Sequence, residues 1–111
     1  MNWISLDSLE QLKVIKETSE NQRVLLLMFS PGNSVNFVVK FLLEREWNED
    51  EMKMKTYIFD LVGSEELSGE IEKEFGAVKE SPQVLIIERG KPVFNASYGR
   101  ILFSELRKFS N

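Results

Sequence analysis

Side chains able to do chemistry gather at three places in this sequence. Ser30-Pro31-Gly32-Asn33-Ser34 is a run of turn residues that stops where a helical pattern begins. Lys79-Glu80-Ser81-Pro82 sets a cation, an acid and a hydroxyl beside an X-Pro bond, and Tyr98 follows the last strand pattern. A hydroxyl at a helix N-terminus, such as Ser34, sits in a positive field, yet it attacks only when a base takes its proton. The usual base is missing, because the 111 residues include no His and no Cys. Disulfide exchange, thiolate-bound metal and imidazole-assisted nucleophiles are thereby excluded. Lys79 or Glu80 could in principle serve, but Ser34 has a plainer role as a helix cap and Asn33 as a turn residue. Glu49-Asp50-Glu51 and Glu65-Glu66 read as solvated loop and first-turn surface, and the former lacks the ligand spacing of a calcium loop. No catalytic residue, metal site or cofactor is expected.

The overall charge points the same way. Fourteen Lys+Arg against 18 Asp+Glu give a net charge of −4, which disfavours phosphate backbones, and no basic stripe interleaved with aromatics offsets it. No nucleic-acid partner is expected. The longest apolar run, Val24 to Phe29, is far short of the ~20 residues of a membrane span. The start, Met1-Asn2-Trp3-Ile4-Ser5, has neither the basic region nor the apolar run of a signal peptide, so the expected place is the cytoplasm. With 42% apolar and 29% charged residues and no linker-like tract, residues 1–111 read as one globular domain.

The elements that must position these residues follow from the apolar spacing. Leu6, Leu9, Leu12 and Ile15 predict a first helix capped by Ser5, and a short strand at Asn2-Trp3-Ile4 could precede it. Val24–Phe29 is continuous, as in a strand covered on both faces. From Ser34 to Glu46 a second helix carries Val35, Val38, Val39 and Leu42 on one stripe, widened by Phe37, Phe41 and Leu43. That width predicts a helix buried on several sides, or an interface with a partner. Lys55–Leu61 reads as another strand, and Ser64 caps a third helix that Gly76 closes. Gln83–Glu88 and Pro92–Ala96 flank a turn and predict a hairpin, and Ile101–Phe109 predicts a last helix with Leu102, Leu106 and Phe109 on one side. The alternation predicts an α/β fold with one mixed sheet between helices, whose ligand end lies at Ser30–Ser34.

This order resembles a thioredoxin-like fold, with a turn after the first long strand and an X-Pro bond, Ser81-Pro82, before the hairpin. Val78-Lys79-Glu80-Ser81-Pro82-Gln83-Val84, then Gly90 and Ala96-Ser97-Tyr98, resembles the monothiol bacilliredoxin C family of bacillithiol-system redox proteins. The resemblance runs from about Ser5 to Leu106. It implies a three-layer α/β/α sandwich, a four- to five-stranded mixed sheet, a C-terminal hairpin plus helix, and a cis Pro82 packed against the thiol turn. It also implies where the chemistry is missing. Asn33 stands in the cysteine position of the family's Ser-x-x-Cys-Pro-x-Ser loop, Ser34 replaces its proline and Asn36 its last serine. Lys79 and Tyr98 stand at the two family histidine positions.

What such a scaffold keeps is a recognition surface. The resemblance implies that Ser81 offers backbone groups to an extended peptide, and the Ser34 and Val35 amides favour an anion. The residues expected at this face are Ser30, Pro31, Gly32, Asn33 and Ser34, with Lys79, Glu80, Ser81, Pro82 and Tyr98 as ligand contacts. Phe29, Phe37, Trp47 and Tyr98 are candidate apolar walls, although core packing is the simpler reading for Phe29 and Phe37. The expected partner is a peptide, a protein or a low-molecular-weight thiol derivative. The alternative expectation is a homodimer or complex subunit joined through the Ser34–Glu46 helix.

Overall fold

The continuous apolar run forms the centre of the sheet. In a computed structural model describing residues 1–110, β2 (Val24–Phe29) is buried along its whole length. Alternate side chains go to opposite faces of a strand. Val24, Leu26 and Met28 enter one core with residues of α1 (Leu9–Ser19) and α3 (Glu65–Phe75). Leu25, Leu27 and Phe29 enter a second core with Val39 and Leu43 of α2 (Ser34–Glu46) and Leu106 of α4 (Phe103–Leu106). Two helical layers therefore enclose one sheet.

The other strands are β1 (Trp3–Ser5), β3 (Lys55–Asp60), β4 (Gln83–Glu88) and β5 (Lys91–Ser97), in the spatial order β1-β3-β2-β4-β5. β1 and β2 pair parallel with β3, whereas β4 is antiparallel to both β2 and β5. This is the three-layer α/β/α sandwich with a mixed five-stranded sheet that the resemblance implies. Arg89 and Gly90 link β4 to β5, both with positive φ (51° and 75°), as a two-residue hairpin of matching twist requires. Ser19 holds that turn, since its C=O accepts from the Arg89 amide and its Oγ from the Gly90 amide, both at 2.8 Å.

Several local expectations are corrected. Ser8, not Ser5, is the N-cap of α1, because Ser5 is drawn into β1 by pairing with Ile58. Leu9 is consequently exposed rather than part of the buried stripe. β3 ends at Asp60, one residue before the expected Leu61. The last helix, expected over Ile101–Phe109, is reduced to the single turn of α4 and a 3-10 turn at Arg107–Phe109, with Leu102 exposed, and a separate 3-10 turn at Tyr98–Arg100 precedes it. The largest departure is α2. Only Asn36, Val39 and Leu43 are buried, whereas Val35, Phe37, Val38, Phe41 and Leu42 are all exposed. The apolar width of α2 is therefore not explained by burial within the chain. Among the described residues, no helix is long and apolar enough to cross a membrane.

Candidate functional site

The turn Ser30–Asn33 leaves the carboxyl end of β2 and enters α2. Two asparagines fix its path. Asn33, in extended conformation, is the N-cap of α2, and its Oδ1 accepts from the Val35 amide at 2.9 Å. The cap is therefore Asn33 and not Ser34, which is the first helical residue. Asn36 is fully buried beneath the turn, where its Oδ1 accepts from the Ser30 amide at 2.8 Å. Its Nδ2 finds no acceptor among the described residues. The expectation that the Val35 amide points outward for an anion is corrected as well, because the Asn33 side chain already takes it.

The second wall is the segment before β4. The Ser81–Pro82 peptide bond is cis, Pro82 is buried, and the Ser81 hydroxyl donates to Ser30 Oγ at 2.8 Å. That contact brings the Ser30 turn and the proline segment together across 51 residues of chain. Gln83, also fully buried, pins the approach: its Nε2 donates to the C=O of Val78 (2.7 Å) and of Glu80 (3.3 Å), and its Oε1 accepts from the Val78 amide (3.3 Å). A buried amide that meets three backbone groups rigidifies the loop carrying Lys79 and Glu80. The backbone N–H and C=O of Ser81 take no hydrogen bond from the described residues.

Tyr98 closes the far side. Its amide donates to the Pro82 C=O at 3.0 Å, and its φ is +53°, a left-handed conformation that costs a side-chain-bearing residue on the order of 1 kcal/mol. The ring is half exposed over an open groove of about 530 Å³, lined by Val78, Glu80, Asn95, Ser97 and Arg100. Phe29 is buried, as expected from core packing, but Phe37 stands 52% exposed with its ring edge-on to Phe29, 5.1 Å between centroids. Trp47 is buried at the opposite end of α2, ~20 Å of helix away from Asn33, so it is not a wall of this site.

The structure thus brings Ser30, Ser81, Pro82 and Tyr98 into one connected set. Lys79, Pro31, Gly32 and Ser34 lie on the exposed surface around it. Among the described residues no hydrogen bond joins the Ser34 hydroxyl to Lys79 or Glu80, and no acidic cluster is arranged to hold a metal. Asn36 and Gln83 were missed as supporting residues. Asn36 shares the 36–39–43 spacing of the buried stripe, and Gln83 is a polar residue opening an apolar strand, so both carried a legible signal.

The chain matches the family "Monothiol bacilliredoxin BrxC" over residues 4–106. Among solved structures it is similar to a protein described as a candidate oxidoreductase with a thioredoxin fold, at 29% identity, covering 96% of this chain and 91% of that one with a TM-score of 0.74. Thioredoxin from Schistosoma mansoni (17% identity, 97% and 95% covered, TM-score 0.75) and thioredoxin from Trypanosoma brucei brucei (16%, 96% and 86%, 0.74) share the fold. No curated protein matches the chain significantly.

Proposed function

The chain belongs to the monothiol bacilliredoxin family, and from that membership we propose that it is a thiol-less member which binds at the former thiol face without turning its ligand over. Fold and family point to a redox-related role. Thiol–disulfide exchange proceeds only by attack of a thiolate, and a chain with no cysteine has none to offer. The ligand is an extended peptide of a protein partner or a low-molecular-weight thiol derivative, held and released intact.

One observation carries this reading: the unpaired N–H and C=O of Ser81, beside cis Pro82 and anchored to Ser30. A free donor and acceptor on adjacent backbone is the unit that strand addition uses, and neighbouring grooves then select side chains. Here the groove under Tyr98 combines the apolar Val78, Ala96 and the Tyr98 ring with an acid, Glu80, and a base, Arg100, a mixed lining suited to a peptide side chain with a polar end. Lys79 and Glu80 stand on the loop that Gln83 stiffens, so the face is preorganised, which reduces the ordering cost of binding.

The test is an NMR titration of the 15N-labelled chain with a short peptide whose single cysteine is S-alkylated. Saturable shifts at Ser30–Val35, Lys79–Gln83 and Tyr98 are expected. Shifts confined to other residues, or none at millimolar peptide, would contradict the proposal.

A further inference from the structure

The solvent face of α2 has no use in the ligand-binding reading. A surface helix carries a polar face opposite its buried one, and a helix apolar all round is covered all round. In α2 the spokes facing away from Asn36, Val39 and Leu43 hold Ser34, Phe37, Val38, Phe41, Leu42 and Arg45. Val35, Phe37, Val38, Phe41 and Leu42 are 46–59% exposed, and Leu102, which lines a groove with Leu42, is 51% exposed. At roughly 150–250 Å² for each side chain when bare, these fractions leave on the order of 600 Å² of contiguous apolar surface. That is the upper end of what a monomer normally shows. It also equals one side of an interface of about 1,200 Å² in total, the lower bound for a specific, stable pair, before any polar rim is added.

We propose that this face pairs two copies of the chain in a twofold dimer, α2 crossing antiparallel on α2. The face is self-complementary, as such symmetry demands. Phe37 and Arg45 lie one turn to either side of Phe41, so a crossing centred on Phe41 sets Arg45 of each copy against Phe37 of the other, a guanidinium over an aromatic ring. Arg45 is the charged residue nearest the middle of the outward spokes, in a chain of net charge −4, and exposed Glu46 stands at the rim, in the groove of Leu42 and Leu102. The neighbouring acid, Glu44, is engaged by Trp3 and Lys40. The antiparallel crossing also puts the Glu46 residues of the two copies at opposite ends of the contact, so two acidic molecules approach here without setting acid against acid. Phe37 is braced from behind by Phe29, which gives the pair a rigid anchor at each end. The same acidity disfavours a lipid surface as the occupant.

Sedimentation of the intact chain tests this. A dimer with a dissociation constant at or below the micromolar range is expected. Phe41→Glu, at a position 59% exposed, should weaken it roughly thirtyfold or more, while Val62→Glu, 74% exposed in the turn after β3, leaves it unchanged. Because the chain has no cysteine, Phe41→Cys gives a second, covalent readout of which residues meet at the centre of the crossing. Mild oxidation should link two copies across the twofold axis, and Val62→Cys should not link them. A monomer at concentrations on the order of 100 μM, or a dimer that survives Phe41→Glu, overturns the proposal. Equal cross-linking of the two cysteine variants overturns the antiparallel crossing centred on Phe41.

Discussion

At the scale of single residues, the turn and the proline segment are held by the side-chain amides of Asn33, Asn36 and Gln83. Asn33 does conformational work, since it starts α2 by accepting the Val35 amide. Asn33→Ala should lower unfolding stability by about 1 kcal/mol in a denaturant melt, whereas Asn33→Asp keeps an acceptor at the cap and should cost far less. Tyr98 is the opposite case, a residue kept in spite of its backbone. Tyr98→Gly removes the left-handed strain and should raise or preserve stability while weakening the S-alkylated peptide, a divergence that melting and titration of one variant together would reveal. Gln83→Leu should cost on the order of 1–2 kcal/mol, because it removes the hydrogen bonds of a buried amide to the Val78 N–H and to the Val78 and Glu80 C=O groups. These three side chains differ in legibility. Asn33 was placed in its turn by residue type alone, but its capping role was assigned to Ser34, because either residue can cap and only the backbone path decides which one does.

At the scale of elements, strands were more legible than helices, and the reason is physical. β2 and the Val84–Ile87 stretch of β4 are buried on both faces, so six and four consecutive apolar residues bounded by turn residues read directly as central strands. α2 was ambiguous because its inner and outer faces are equally apolar, and sequence spacing does not say which one meets the sheet. The buried Asn36 marks the inner face, against hydropathy. The hairpin offers a prediction of this scale. Arg89 occupies the first left-handed position of a two-residue turn, where Asn is far better tolerated, so Arg89→Asn should raise the melting temperature slightly. A second concerns the tie between β1 and α2. Trp3 Nε1 and Lys40 Nζ both donate to Glu44 Oε2, at 2.7 and 2.8 Å. Burial pushes the Glu44 carboxyl up, but the hydrogen bonds from Lys40 and Trp3, with the charges of Lys40 and the N-terminus, outweigh it and hold the pKa below its usual value. A depressed folded pKa contributes stability that is fully present above the unfolded value of about 4.3 and is lost as pH falls through the folded one. The stability advantage over Glu44→Gln should therefore be constant near neutrality and vanish in acid. An advantage that grew on acidification would contradict the assignment.

At the scale of the whole molecule, a complete thioredoxin-type scaffold surrounds a face without its reactive group. The absence of cysteine and histidine limits the chemistry of any fold this chain could adopt, and on the proposed reading the missing thiol belongs at position 33. Position 33 is the N-cap of α2, at the positive end of a helix, where a thiol would be stabilised as thiolate. The measurement that tests this account most directly is the reaction of Asn33→Cys with a small aromatic disulfide, against Val62→Cys as an exposed control on the same chain. The account predicts that Cys at 33 reacts faster near pH 6, with a thiol pKa below the ordinary value of about 8.5, while the native chain stays inert. A thiol at 33 no faster and no more acidic than one at 62 would contradict it.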